Sequence, residues 1–244
     1  MQSPYYLINT MHLMFNWFKK KRKLASSDPS FWQAYLQKLS ATSYGKHTPV
    51  EDLSFVVFDT ETTGLDVQQD QILSIGAVRV KNGQLSVEDR LECYIHQVYS
   101  PDGKTVAVHG ILPGEHQHSV SEEEGARWFL EYIGGDVLVA HHAAFDVAMI
   151  NAALVAAGGG KLQNRVLDTG VLAKRVARNP QIARPGTFGL DQLCDQYGIS
   201  KSDRHTASGD AFITALLLMK LLYRLKKRGV DTLGALLAAP RLGL

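Results

Sequence analysis

Three short segments of this 244-residue chain hold the residues best suited to do chemistry. They are Asp59-Thr60-Glu61-Thr62-Thr63-Gly64, His141-His142-Ala143-Ala144-Phe145-Asp146 and His205-Thr206-Ala207-Ser208-Gly209-Asp210. Together they offer four carboxylates, on Asp59, Glu61, Asp146 and Asp210, and an imidazole on His205 to serve them. Carboxylates ordinarily titrate near ~4, so four crowded together would repel strongly. Divalent cations relieve that repulsion, and Mg2+ or Mn2+ prefers oxygen ligands. Two such ions about 3.5–4 Å apart can stabilise both the attacking and the leaving oxygen of an in-line displacement. The set is an inventory for holding two divalent cations and setting water against a phosphodiester.

Each carboxylate falls where a strand ends or a helix begins. Residues 54–58 (SFVVF) form a short apolar run rich in β-branched and aromatic side chains, which predicts a buried strand. Asp59 and Glu61 follow at its end, and side chains two apart on a strand point the same way. Alone, Asp-x-Glu reads as an acidic turn after a core strand; the Thr62-Thr63-Gly64 continuation makes it far more specific. Residues 136–140 (DVLVA) predict a second strand, and 145–157 a helix stopped by Gly158-Gly159-Gly160. Asp146 then sits in a first helical turn, where the helix dipole alone would favour a carboxylate. Residues 207–227 predict a long apolar helix with Asp210 in its first turn. His205, five residues earlier, belongs to the preceding loop, from which it can reach over a bound water while Asp210 stays fixed.

In this order the three segments resemble the DEDDh exonucleases, the DnaQ-like group that includes the proofreading subunit of bacterial replicative polymerase. The resemblance spans roughly residues 53–228. Smaller matches agree: Val108-His109-Gly110-Ile111, Leu167-Asp168-Thr169, and Gly189-Leu190-Asp191-Gln192-Leu193-Cys194 with Tyr197-Gly198-Ile199. One departure is His142, where the family often has Asn. That Asn is not a metal ligand, so activity is expected to survive with altered contacts near the terminal nucleotide.

The resemblance implies a metal-dependent 3′→5′ exonuclease that releases nucleoside 5′-monophosphates. Asp59, Glu61 and Asp210 would hold one ion of Mg2+ or Mn2+, with Asp59 also touching the second and Asp146 assisting. His205 would act as general base, a task suited at neutral pH to an imidazole titrating near ~6.5. Thr62, Leu65, His109 and Ile111 match positions that grip the terminal nucleotide, and Phe145 offers a stacking surface. Core packing explains Leu65 and Ile111 equally well. Lys201, Arg204 and Arg184 could meet phosphate or simply be solvated charges. DNA is the preferred substrate, single-stranded 3′ ends most of all. RNA ends are the alternative within the same chemistry, and a polymerase-docking, nucleic-acid-binding module the alternative outside it. A polymerase or repair partner is in keeping with the family.

The remaining elements predict an α/β fold, with an RNase H-like mixed five-stranded sheet flanked by helices and an N-terminal helical extension. Residues 71–80 and 87–95 read as a hairpin about Lys81-Asn82-Gly83-Gln84, and 166–168 as a last short strand. Ser121-Glu122-Glu123-Glu124 has a capping-box pattern. Residues 178–188 form a loop. Glu115-His116-Gln117-His118 reads as solvated loop rather than a zinc site.

Three regions are expected: an extension over 1–50, an exonuclease domain over 51–228 and a tail over 229–244. With 45% hydrophobic residues the chain can bury one sizeable core. Lys19, Lys20, Lys21, Arg22 and Lys23 dominate the net charge of +2; without these five, 21 basic residues face 24 acidic ones, leaving −3. The body therefore lacks the broad basic excess of a tight nonspecific DNA binder, and its groove is expected to meet only a few nucleotides. Two distant cysteines, Cys93 and Cys194, show no metal-type spacing and suit a reducing cytoplasm. Leu7, Met11, Met14, Phe15 and Phe18 share one helical face ahead of the basic cluster. This order is the reverse of a secretory signal, and the apolar run is too broken to span a membrane. An appended helix or arm is favoured, with weak peripheral membrane contact through residues 5–23, targeting, or a later start at Met11 or Met14 as alternatives. Residues 25–30 read as a linker and 31–39 as a short helix packing back on the domain, with a docking element as the alternative.

Overall fold

The computed structural model describes residues 28–42, 44–97, 118–177 and 186–238. Strand β1 (Ser54–Thr62) decides the layering. Its residues 54–58 are buried whichever way they point, so both faces of the sheet must be covered. Phe55 and Val57 enter one apolar cluster, Val56 and Phe58 another, as strand alternation requires.

Strands β2 (Ile72–Lys81) and β3 (Gln84–Tyr94) form the predicted hairpin. Its turn residues Asn82 and Gly83 have φ of 54° and 70°, the positive pair that an Asn-Gly two-residue turn supplies. β1 pairs antiparallel with β2 and parallel with β4 (Val137–Ala140), and β5 (Val166–Asp168) pairs parallel with β4. The order β3-β2-β1-β4-β5 is a mixed five-stranded sheet of the RNase H-like kind.

One face carries α1 (Ser30–Ala41), α2 (Glu122–Ile133) and α3 (Ala144–Ala156). The other carries α4 (Thr169–Val176), α5 (Leu190–Tyr197), α6 (Ala207–Lys226) and α7 (Leu233–Leu237). Ser121 caps α2 by accepting from the Glu124 amide at 3.2 Å. Trp32 of α1 is fully buried, and the Tyr35 hydroxyl donates to Asn164 Oδ1 at 2.6 Å, so this helix is part of the core. Residues 5–23, with their basic cluster, lie outside the described residues.

The segment leading into β1 is clasped from the far end of the chain. Val50 donates to the Asp231 carbonyl at 2.8 Å, Leu233 to that of Thr48 at 2.9 Å and Gly234 to that of Lys46 at 2.8 Å. Leu233 and Leu236 of α7 are buried beside them, and Arg175 closes α7 by donating to the carbonyls of Leu236 and Ala235. Among the described residues no helix is long and apolar enough to cross a membrane.

Candidate active site

β1 runs further than the apolar residues suggest. Thr60 and Glu61 still pair with Ile75 and Ser74 of β2, so the two carboxylates stand on the strand itself rather than after it. Asp59 and Glu61 share the register of Phe55 and Val57 and point toward the face that holds α6. Asp210, in the first turn of α6, meets them there. One oxygen from each of Asp59, Glu61 and Asp210 lies within 4.8 Å of the others.

Two glycines allow this approach. Gly76 of β2 is the cross-strand partner of Asp59, and a Cβ there would collide with the backbone of Ala207 and Ser208. α6 can therefore start directly against the sheet beside Asp59. A Cβ on Gly209 would strike the Asp203 carbonyl, so the incoming loop presses onto the first turn of α6. Thr206 caps that turn, accepting from the Gly209 amide at 3.0 Å.

Thr60 points to the opposite face, where α3 lies. Its amide and hydroxyl both donate to Asp146 Oδ1, at 3.0 and 2.7 Å. Asp146 is thereby tied to the C-terminal part of β1 but stands outside the close trio. The α3 end is fixed in turn by Asp168. This residue caps α4 through Oδ1, accepting from Gly170 and Val171, while Oδ2 accepts from the Ala143 amide at 3.0 Å.

The electrostatics are those of a concentrated negative charge. Burial, and then the neighbouring Asp146, Asp210 and Glu61, hold the Asp59 carboxyl well above its ordinary range. Burial and the Asp210 charge push Glu61 up to about 7. Burial raises Asp146 to about 7 against the opposing Thr60 hydrogen bonds. Asp210 Oδ1 is buried without a hydrogen-bond partner. An orphan carboxylate oxygen beside two more carboxylates is a donor set for a hard cation, and the residues fit Mg2+ or Mn2+.

His205 is exposed at the mouth of α6, in the left-handed region at φ 69°. His141 is different. Its Nδ1 lies 2.8 Å from the Thr169 hydroxyl, and burial depresses its pKa to about 3, which keeps the ring neutral. Of the residues expected to grip substrate, Leu65 is 75% exposed, which removes core packing as its explanation. The Thr62 hydroxyl is occupied, donating to the Gly64 carbonyl at 2.6 Å. Phe145 is half-buried against the cluster around α2 and α3. His109, Ile111 and Arg184 lie outside the described residues. Lys201 pairs with Asp195 at 2.6 Å, and Arg204 is held between Asp191 and Asp210, so neither is a free cation waiting for phosphate. Thr60 and Asp191 were not singled out as parts of a site. Thr60 was legible in principle, since it occupies the opposite register between two carboxylates.

Comparison with known proteins places these observations. The family described as Exonuclease, of the RNase T type, matches residues 56–218, about two thirds of the chain. A DNA polymerase III subunit epsilon-like protein of Rhodobacter capsulatus is 36% identical over 197 residues, covering 80% of this chain and 27% of its own. A PolC-type DNA polymerase III of Listeria monocytogenes is 33% identical over 177 residues, covering 72% of this chain and 12% of its own. The chain thus spans between about an eighth and just over a quarter of the length of these relatives. Exonuclease I of E. coli, in a complex with single-stranded DNA, has a similar fold, with TM-score 0.62 and 20% identity over 72% of this chain and 42% of that one. Exonuclease X, in complex with 5′ overhanging duplex DNA, has TM-score 0.52 and 22% identity over 69% of this chain and 91% of that one.

Proposed function

The chain belongs to the exonuclease family, and from that premise we propose that it is a 3′→5′ exonuclease acting on DNA, with single-stranded ends as its preferred substrate. The observation that carries this reading is the convergence of Asp59, Glu61 and Asp210 from a strand and a facing helix onto one point. The DNA named with the structural neighbours supports the choice of substrate. The epsilon-like relative supports work beside a DNA polymerase.

Asp59, Glu61 and Asp210 would hold a divalent cation, with Asp59 and Asp146 contributing to a second. Such cations would supply positive charge to offset the negative charge building on the oxygens of the attacked phosphodiester. Asp146 is kept in place for this by Thr60, and the base of α3 by Asp168. A ring nitrogen of His205 takes a proton from the attacking water. The water oxygen bonds to phosphorus, the bond to the preceding nucleotide's O3′ breaks, and that oxygen gains a proton from solvent. The products are a nucleoside 5′-monophosphate and a shortened strand ending in a 3′-hydroxyl. Leu65, exposed after β1, offers an apolar surface to the terminal base, a contact that tolerates any sequence.

The test is a time course on 5′-labelled single-stranded DNA and matched RNA with Mn2+. Stepwise shortening from the 3′ end, faster for DNA, is expected. Cleavage of neither strand would overturn the enzymatic reading and leave a binding module.

A further inference from the structure

Arg204 is the residue whose placement the proposed chemistry leaves unexplained. It sits directly before His205, on the loop between α5 and α6, and its side chain is only 16% exposed. Its Nε donates to Asp191 Oδ1 at 2.8 Å, at the start of α5. Its Nη1 donates to Asp210 Oδ2 at the start of α6. One guanidinium therefore ties two helices and the intervening loop together at the edge of the acidic cluster. A planar fork with several fixed donors suits such a two-carboxylate bridge; an ammonium does not.

Two further features point the same way. Asp210 has Oδ2 engaged by Arg204 while Oδ1 is buried and unpartnered, so the bridge fixes how this carboxylate is turned. His205 holds a positive φ without being glycine, a conformation that persists only where the surroundings enforce it. Those surroundings are the Arg204 bridge on one side and the Thr206 cap on the other. Asp203, whose carbonyl accepts from the Thr206 hydroxyl at 3.2 Å, completes the brace.

We infer that the Asp191–Arg204–Asp210 bridge is a positioning device for His205: anchored on α5, Arg204 sets the loop that aims the imidazole and the orientation of Asp210. The inference rests on the proposed role of His205 as base. Asp191 is the informative handle, because it lies outside the proposed ligand set and its side chain is 46% exposed, so replacing it opens no cavity in the core. Asp191 does nothing to substrate directly; it acts through Arg204.

The experiment is a double-mutant cycle of Asp191→Asn with His205→Ala, read as kcat and KM on single-stranded DNA with Mn2+. Asp191→Asn is expected to lower kcat about ten-fold, as loss of an outer partner of a site commonly does, with KM nearly unchanged. In the His205→Ala background the same change is expected to cost much less, keeping only the part that passes through Asp210. Arg204→Lys, which keeps the charge and loses the fork, should reproduce the Asp191→Asn loss. Hydrogen exchange on the metal-free protein gives a readout independent of turnover: the Arg204 amide and its loop neighbours should exchange several-fold faster in Asp191→Asn, with the strands unchanged. Equal losses from Asp191→Asn with and without His205, or unchanged exchange in the loop, would overturn the inference. A His205→Ala variant with the full wild-type rate would instead overturn the assignment of the base; that result differs from either of those.

Discussion

His205→Ala is expected to slow DNA hydrolysis by about 10²–10⁴-fold near neutral pH, the usual worth of a positioned general base, and Asp59→Ala to abolish it with the fold intact. Steady-state rates alongside circular dichroism check both; a His205→Ala enzyme of near-normal rate would remove the base. Thr60→Val tests a quieter contact. It deletes the hydroxyl that donates to buried Asp146 and should cost about 1–3 kcal/mol in denaturant unfolding, because the acceptor is left with the Thr60 amide alone. At this scale the sequence was informative where spacing along one strand sufficed: Asp59 and Glu61, two apart, share a face. It was silent on Arg204, whose role depends on Asp191 thirteen positions away on a helix of unknown direction. For Lys201 and Arg204 it leaves phosphate contact and solvated charge equally open, since a basic residue does not announce which carboxylate it will meet.

The elements were read more fully than their edges. The Asn82-Gly83 turn, the Ser121 cap and the glycine stop after α3 are local signals, and each lies where local chemistry puts it. The apolar run alone predicts an end to β1 at Phe58, because polar residues follow; pairing with β2 carries it through Thr62, and that extension makes the carboxylates part of a rigid strand. Helix α6 depends on close approach rather than on composition. Gly76→Ala would drive a methyl group into the Ala207–Ser208 backbone and push Asp210 from Asp59. Overpacking of this kind costs about 1–3 kcal/mol. The stabilisation gained from Mn2+ should shrink with it, as thermal unfolding with and without the ion would show. Unaltered stabilisation by Mn2+ would mean that the helix start can yield without moving the carboxylate.

Across the whole molecule the gathered acids make stability depend on pH in an unusual direction. Glu61 and Asp146 titrate near about 7 in the fold, and Asp59 is also raised, whereas unfolded carboxylates titrate near ~4. The folded chain binds more protons than the unfolded one through this window, so without divalent cations it loses stability as pH rises. His141, depressed to about 3, acts in the opposite sense below the ordinary histidine range. The clean measurement is therefore the melting temperature in EDTA between about pH 6.5 and about pH 8, which should fall. Saturating Mn2+ should restore more at the higher pH, about 2.7 kcal/mol at a hundred times its Kd. A melting temperature that rises over this interval would show that the carboxylates are not crowded in solution.

Residues 46–50 and 231–234 exchange backbone hydrogen bonds beyond the end of β1 opposite Asp59 and Glu61. They zip the lead-in of β1 to α7, so a stop codon after Gly229 would release that strand at its root. Such a shortened protein should melt earlier and lose Mn2+ affinity although every acidic side chain of the cleft is still encoded. A tag appended after Ala238 should leave both properties as they were.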